Sequence, residues 1–302
     1  MSTENKDIKA LFLGVAPERV TQIDEIFDRG QISYVRANDR PGVCMQAWNN
    51  VVLYNDRTVQ LFYLASFLAW QALIEQSGAV VGLYNLNKKY DYSELLKEPS
   101  RAEFELKVDA LGDALANLSS AQDMDAATWP TEIPRPAPQG PSDVEHRAAH
   151  ELTLFALAFA LLHETQHAIF AVNNNSPGGM AEERACDDYA FGFLMDEAGS
   201  YAAASQSPVD KVKTKRAMGI LLGQTVILEM TPQELWDSSS THPPIRERFG
   251  AVIDRLNLPP WDDAYVYASS ILLSKLRRSK KEFGEIPFSS PRDLCERLLT
   301  YL

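Results

Sequence analysis

The chain has 302 residues, 45% of them hydrophobic, and a formal net charge of −12 at pH 7. That apolar content can bury a sizeable core in one large domain or two small ones. The acidity argues against a nucleic-acid partner, because an acidic surface gains no counterion-release energy on a phosphate backbone.

Residues 1–56 read as short strand-like pieces, Ile8–Gly14, Gln31–Arg36 and Val43–Tyr54, broken by Pro41-Gly42 and Asn49-Asn50. The first residues, Met-Ser-Thr-Glu-Asn-Lys-Asp, lack the basic-then-apolar pattern of a secretory signal. Thr58–Gln76 is a predicted apolar helix ending at Gly78, and its aromatic stretch Leu61–Trp70 belongs in a core. Amphipathic helical spacing runs from Tyr92 to about Leu118. Pro130–Pro141 is too rich in proline for a helix and reads as a linker or a strap across the surface. Ser142-Asp-Val-Glu145 has the form of a capping box, from which a helix can run to about Val172, where Asn173–Gly179 stops it. Further helices are predicted at Met180–Glu197, Lys211–Met230, Ile245–Leu256, Trp261–Arg278 and Pro291–Leu302, the last with Ser290 as cap. The richest apolar run, 152–162, is short of the ~18–20 residues that span a bilayer, so no membrane segment is expected. Cys44, Cys186 and Cys295 are few and scattered, as suits a reducing cytoplasm rather than a disulfide framework.

The chemistry concentrates in His163-Glu-Thr-Gln-His167, followed by Glu183 and Asp187. Two histidines four apart on a helix project from one face and can grip a single zinc ion, with Glu164 beside them to take a proton from water. A third ligand on the next helix would leave the fourth position open, which marks a catalytic rather than a structural site. Glu183 is the expected third ligand. Glu182 competes for the role, but Glu183 shares a helix face with Asp187, which can support a histidine from behind. Cys186 reads better as a small buried residue than as a ligand. His146 and His150 repeat the spacing without the glutamate and read as surface histidines. The bland alternative is a buried helix whose histidines bond to neighbouring carbonyls. The expected activity is therefore a zinc hydrolase acting on a peptide bond in a protein substrate. The rivals are a non-catalytic helical interaction protein and a zinc hydrolase of non-peptide amides.

The combination His-Glu-x-x-His, Glu-x-x-x-Asp and Thr241-His-Pro-Pro-x-x-x-Arg248 resembles the gluzincin metallopeptidases. A nearer similarity is to the Lit-type phage-exclusion peptidases. It rests on Trp129-Pro130, Leu162–His167, Glu182-Glu-Arg184 before Asp187, Lys215–Ile220 and Thr241-His-Pro243, and is best from about residue 129 to 256. This resemblance implies a zinc endopeptidase of the bacterial cytoplasm. Its family is associated with cleaving translation elongation factor Tu on phage infection, after activation by a phage-derived peptide. At matching positions, His163, His167 and Glu183 would hold Zn2+ and Glu164 would be the base. His242 would face the oxyanion, with Asp187 and Arg248 in support. The expected fold is α+β, mainly α, with a zincin-like helical core and a small N-terminal sheet. It divides into an N-terminal α+β region (1–128), the proline-rich strap (129–141) and the helical core (142–302).

Overall fold

The computed structural model describes residues 2–28, 31–83, 89–95, 97, 99–121, 129–137, 140–141, 143–237, 242–281 and 283–302. Its first helix, α1 (Thr3–Val15), stands where a strand was expected at Ile8–Gly14. The residues it buries, Ile8, Phe12 and Val15, recur at helical spacing, and Ser2 caps the start by accepting from the Asn5 N–H at 3.1 Å. A 3-10 turn (Pro17–Arg19) leads into α2 (Val20–Asp28), which the sequence reading left unassigned.

The expected small sheet follows. Strands β1 (Ser33–Arg36), β2 (Met45–Trp48) and β3 (Val51–Tyr54) lie in the order β1-β3-β2, with β1 parallel and β2 antiparallel to β3. The β2–β3 hairpin turns at Asn49, whose φ of 53° is left-handed backbone that asparagine tolerates. Helix α3 (Asp56–Gly78) starts at Asn55, whose side chain accepts from the Thr58 N–H at 3.0 Å, and Leu61 to Ala69 are buried as the aromatic stretch suggested. The single helix expected over Tyr92–Leu118 is two, α4 (Tyr92–Leu95) and α5 (Arg101–Ser120). Pro99 lies between them, and its ring is incompatible with a helix interior. Lys89–Tyr90 (β4) pairs with Ile286–Pro287 (β5) near the C-terminus.

The long helix is α6 (Val144–Asn173). Its N-cap is Asp143, which accepts from the His146 N–H at 2.9 Å; the other half of the expected capping box, Ser142, lies outside the described residues. Then come α7 (Gly179–Met195), α8 (Ala198–Ser205), α9 (Val209–Met230), α10 (Ile245–Arg255), α11 (Asp263–Arg278) and α12 (Pro291–Leu298). The strap docks through Trp129, which stacks on Tyr63 and donates its indole N–H to the Ile133 carbonyl at 2.7 Å. His146 and His150 lie half-buried against Phe67 and Tyr63 instead of on the open surface.

Helix α6 runs through the middle, packed against α3, α7, α9 and the sheet. Gly219 and Gly223 on α9 let it approach closely: a Cβ at Gly219 would sit 2.2 Å from Phe155 Cβ, and one at Gly223 would sit 3.0 Å from Phe159 Cδ1. The Tyr34 hydroxyl bonds Thr165 at 2.7 Å and fixes the sheet over the same helix. By length and composition His146–Asn173 is apolar enough to cross a membrane, contrary to the expectation from unbroken runs; half of its most apolar window is buried inside the protein. One apolar cluster extends from Ile8 to Leu302, through both the N-terminal region and the helices.

Candidate active site

His163 and His167 lie one turn apart on α6, with their Nε2 atoms 3.2 Å from each other. Both outer nitrogens are engaged by carboxylates of α7: His163 Nδ1 with Asp187 Oδ1 at 2.9 Å, and His167 Nδ1 with Glu182 Oε1 at 2.6 Å. With the Nδ1 protons directed outward, the two Nε2 lone pairs converge on one point, an arrangement that only a proton or a cation relieves. Glu183 closes the third side, its Oε1 3.3 Å from His167 Nε2 and its Oε2 3.5 Å from His163 Nε2.

A tetrahedral ion with ligands at about 2.0–2.1 Å separates them by roughly 3.3–3.4 Å, so the spacing of the two Nε2 atoms and the distance of each from the Glu183 carboxylate suit zinc. Glu183 Oε2 is also buried with no hydrogen-bond partner, as a ligand oxygen would be. His163, His167 and Cys186 form a compact group, with one ring nitrogen of each histidine and the Cys186 Sγ all within 4.8 Å of one another. Burial, with Glu183 and Glu182 nearby, pushes the Cys186 thiol up in the metal-free protein.

Glu164 lines the same cavity as His163. Its Oε2 accepts the Ala47 N–H at 2.7 Å, from the row of backbone groups that edge strand β2 turns away from β3. Burial pushes the Glu164 carboxyl up, against the pull of His163, His167 and that N–H. His242 lies at the entrance to α10, fixed by Pro243 and Pro244, with Nε2 3.6 Å from Glu183 Oε2. Behind the histidines, Arg248 from α10 forks onto Asp187, Nε to Oδ2 at 2.9 Å and one terminal nitrogen to Oδ1 at 2.6 Å. The residues singled out in the sequence thus converge, from α6, α7 and the start of α10. Two partners were not foreseen. Glu182 engages the outer nitrogen of His167, which the helix offset between α6 and α7 conceals. Ala47 contributes a backbone group far away in sequence, for which no side-chain pattern exists.

A cavity of about 500 Å³ opens beside Glu164 and His242. Val43, Met45, Phe62, Phe159, Val226 and Ile227 make most of its wall apolar.

The electrostatics give a pH signature. Burial opposes a charge on His167, but hydrogen bonds to Glu183 and Glu182 outweigh it and raise the imidazole to about 9. His163 is raised likewise, by Asp187 and Glu183 against burial. A raised histidine contributes stability in full below its unfolded value of about 6.5 and loses it as pH rises through the folded value. The metal-free protein is therefore expected to unfold at progressively lower temperature between pH 6.5 and 9. Zinc, which needs the histidines neutral, should offset that decline. Thermal scans with chelator and with zinc across this range check it; a chelated protein that holds or gains stability would contradict the assignment.

A family model described as Peptidase U49 matches residues 52–269, a span that includes His163, Glu164, His167, Glu183, Asp187, His242 and Arg248. No curated protein and no solved structure shows a significant match to the chain. By this match over most of its length, the chain belongs to the Peptidase U49 family and is a peptidase.

Proposed function

We propose that this peptidase is zinc-dependent and cleaves within a protein substrate, with His163, His167 and Glu183 as the metal ligands. The observation that carries this reading is the pair of histidine Nε2 atoms 3.2 Å apart, each 3.3–3.5 Å from one oxygen of the Glu183 carboxylate, with Glu164 alongside. Zinc there would polarise the scissile carbonyl and make a water acidic. Glu164 takes the proton of the attacking water and delivers it to the leaving amine, a role worth roughly 10²–10⁴-fold. His242 donates to the oxygen that gains charge in the tetrahedral transition state. Apart from the Ala47 N–H held by Glu164, the outer edge of β2 offers an extended peptide a strand to add to, and the apolar cavity beside Glu164 accepts a large hydrophobic side chain next to the cut. Family membership disfavours the non-catalytic and non-peptide alternatives.

The Lit-type resemblance supports a finer reading. In it the enzyme works in the bacterial cytoplasm, its substrate is translation elongation factor Tu, and a phage-derived peptide switches it on. Terminal-peptide proteomics on lysates of uninfected and phage-infected bacteria tests both levels, comparing the wild type with Glu164→Gln. New termini made only by the wild type, flanked by a large apolar residue, are expected. A single cut in elongation factor Tu supports the finer reading, and cuts elsewhere remove that substrate. If the zinc-loaded wild type produces no termini in either lysate, the endopeptidase reading fails.

A further inference from the structure

Glu182 is the carboxylate at this centre that the proposed mechanism leaves unused. Its Oε1 meets His167 Nδ1 at 2.6 Å, and its Oε2 accepts from the Ser176 hydroxyl. Ser176 Oγ in turn accepts the Gly178 N–H at 2.9 Å. Ser176 belongs to the exposed turn 174–178 between α6 and α7, whose course is set by two left-handed positions, Asn174 at φ 50° and Gly178 at φ 75°. A chain of bonds thus runs from a surface turn through Glu182 to one histidine.

The other histidine is supported differently. His163 leans on Asp187, which is gripped by the buried Arg248. Consecutive residues of a helix point about 100° apart, so Glu182 and Glu183 cannot both reach the same atom of His167. They take its opposite sides: Glu183 faces Nε2 and Glu182 faces Nδ1. The Glu182-Glu183 pair reads as one ligand and one support.

We propose that Glu182 is the positioning residue for His167, and that the turn 174–178, through Ser176, sets how firmly this histidine holds the metal. A carboxylate on Nδ1 fixes the tautomer that presents a lone pair at Nε2, orients the ring and makes Nε2 more basic. The inner support, Asp187 with Arg248, is largely buried. The outer one ends at an exposed serine, so His167 is the ligand that surface events can loosen. A segment or partner that displaced the turn would act on metal affinity without entering the active site.

This rests on the zinc reading, and the experiment separates the two. Zinc dissociation constants would be measured by chelator competition on the intact wild type, Glu182→Ala, Glu182→Gln, Ser176→Ala and Glu183→Ala. The visible spectrum of each cobalt-loaded form would be recorded alongside. Glu182→Ala is expected to weaken zinc by roughly 10–100-fold and to shift the cobalt bands, as loss of a hydrogen-bonded partner behind a ligand does. Glu182→Gln, whose amide oxygen still accepts from Nδ1, should recover much of the affinity, and Ser176→Ala should show a smaller loss. Circular dichroism of the metal-free variants verifies that each is folded. A wild type without stoichiometric zinc would overturn the zinc reading and this one together. A Glu182→Ala protein that binds like a zinc-competent wild type would overturn the positioning role alone. A loss as large as that of Glu183→Ala would make Glu182 a ligand and equally overturn it, and an unchanged Ser176→Ala would remove the turn from the chain of control.

Discussion

Glu164→Gln is expected to bind zinc as the wild type does and to lose peptide cleavage by 10²–10⁴-fold, or about 3–5 kcal/mol in the barrier. The substitution isolates proton transfer because it spares the rest of the contact. The carboxylate accepts the Ala47 N–H at 2.7 Å, and the amide oxygen of glutamine can accept the same bond, so strand β2 keeps its place over α6. What disappears is the basic site for the water proton. His167→Ala should behave in the opposite way and lose the metal itself, since Nε2 of that ring faces both His163 Nε2 and Glu183 Oε1. Single-turnover cleavage and zinc stoichiometry measured on the same samples distinguish these outcomes. Normal cleavage by Glu164→Gln would remove it as the base.

Much of the helical architecture was legible because apolar spacing and stop residues agreed. Pro130–Pro141 and the polar run that follows Asn173 bracket α6, and each interrupts a helix for local reasons. The failures occur where tertiary burial decides. Ile8–Gly14 is apolar enough for either period. Only Phe12 packed edge-on to Tyr34, with Ile8 and Val15 beside it in the core, shows the helical face. At Pro99 the amphipathic spacing continues on both sides of a residue that itself breaks the helix.

The site was legible to a different depth. The pair His163 and His167 follows from a four-residue offset on a helix, and Asp187 from its offset to Glu183. The choice between Glu182 and Glu183 needed the relative rotation of α6 and α7, which no one-dimensional spacing contains. Arg248 entered only through resemblance, as a supporting residue; its pairing with Asp187 depends on how α10 meets α7 in the fold. The cavity beside Glu164 draws its walls from β2, α3, α6 and α9. Its shape is a property of their packing, including the close approach at Gly223, and no single segment announces it.

Replacing Arg248 by methionine should destabilise the protein by about 3–5 kcal/mol, the cost of stranding a buried charge by deleting its partner. Both side chains of the pair are largely buried, 6% and 16% exposed, and the fork fills both oxygens of Asp187. Arg248→Lys should not rescue, because an ammonium cannot reproduce two parallel donors. The double variant Arg248→Met, Asp187→Asn should recover much of the loss, since no unpaired carboxylate is then left; urea unfolding of the wild type, Arg248→Met, Asp187→Asn and the double variant measures the coupling. The pH dependence supplies an independent check. Burial pushes the Asp187 carboxyl up, but Arg248 and His163 outweigh it and hold the carboxyl below its usual range. A depressed carboxyl contributes stability above its unfolded value of about 3.9 and loses it as pH falls. Without Arg248 the carboxyl protonates more readily, so the deficit of the single variant should be largest near neutrality and shrink as pH falls toward 4. A deficit that stays constant over that range would assign Arg248 to packing, and the charge pair would no longer explain how His163 is held in place.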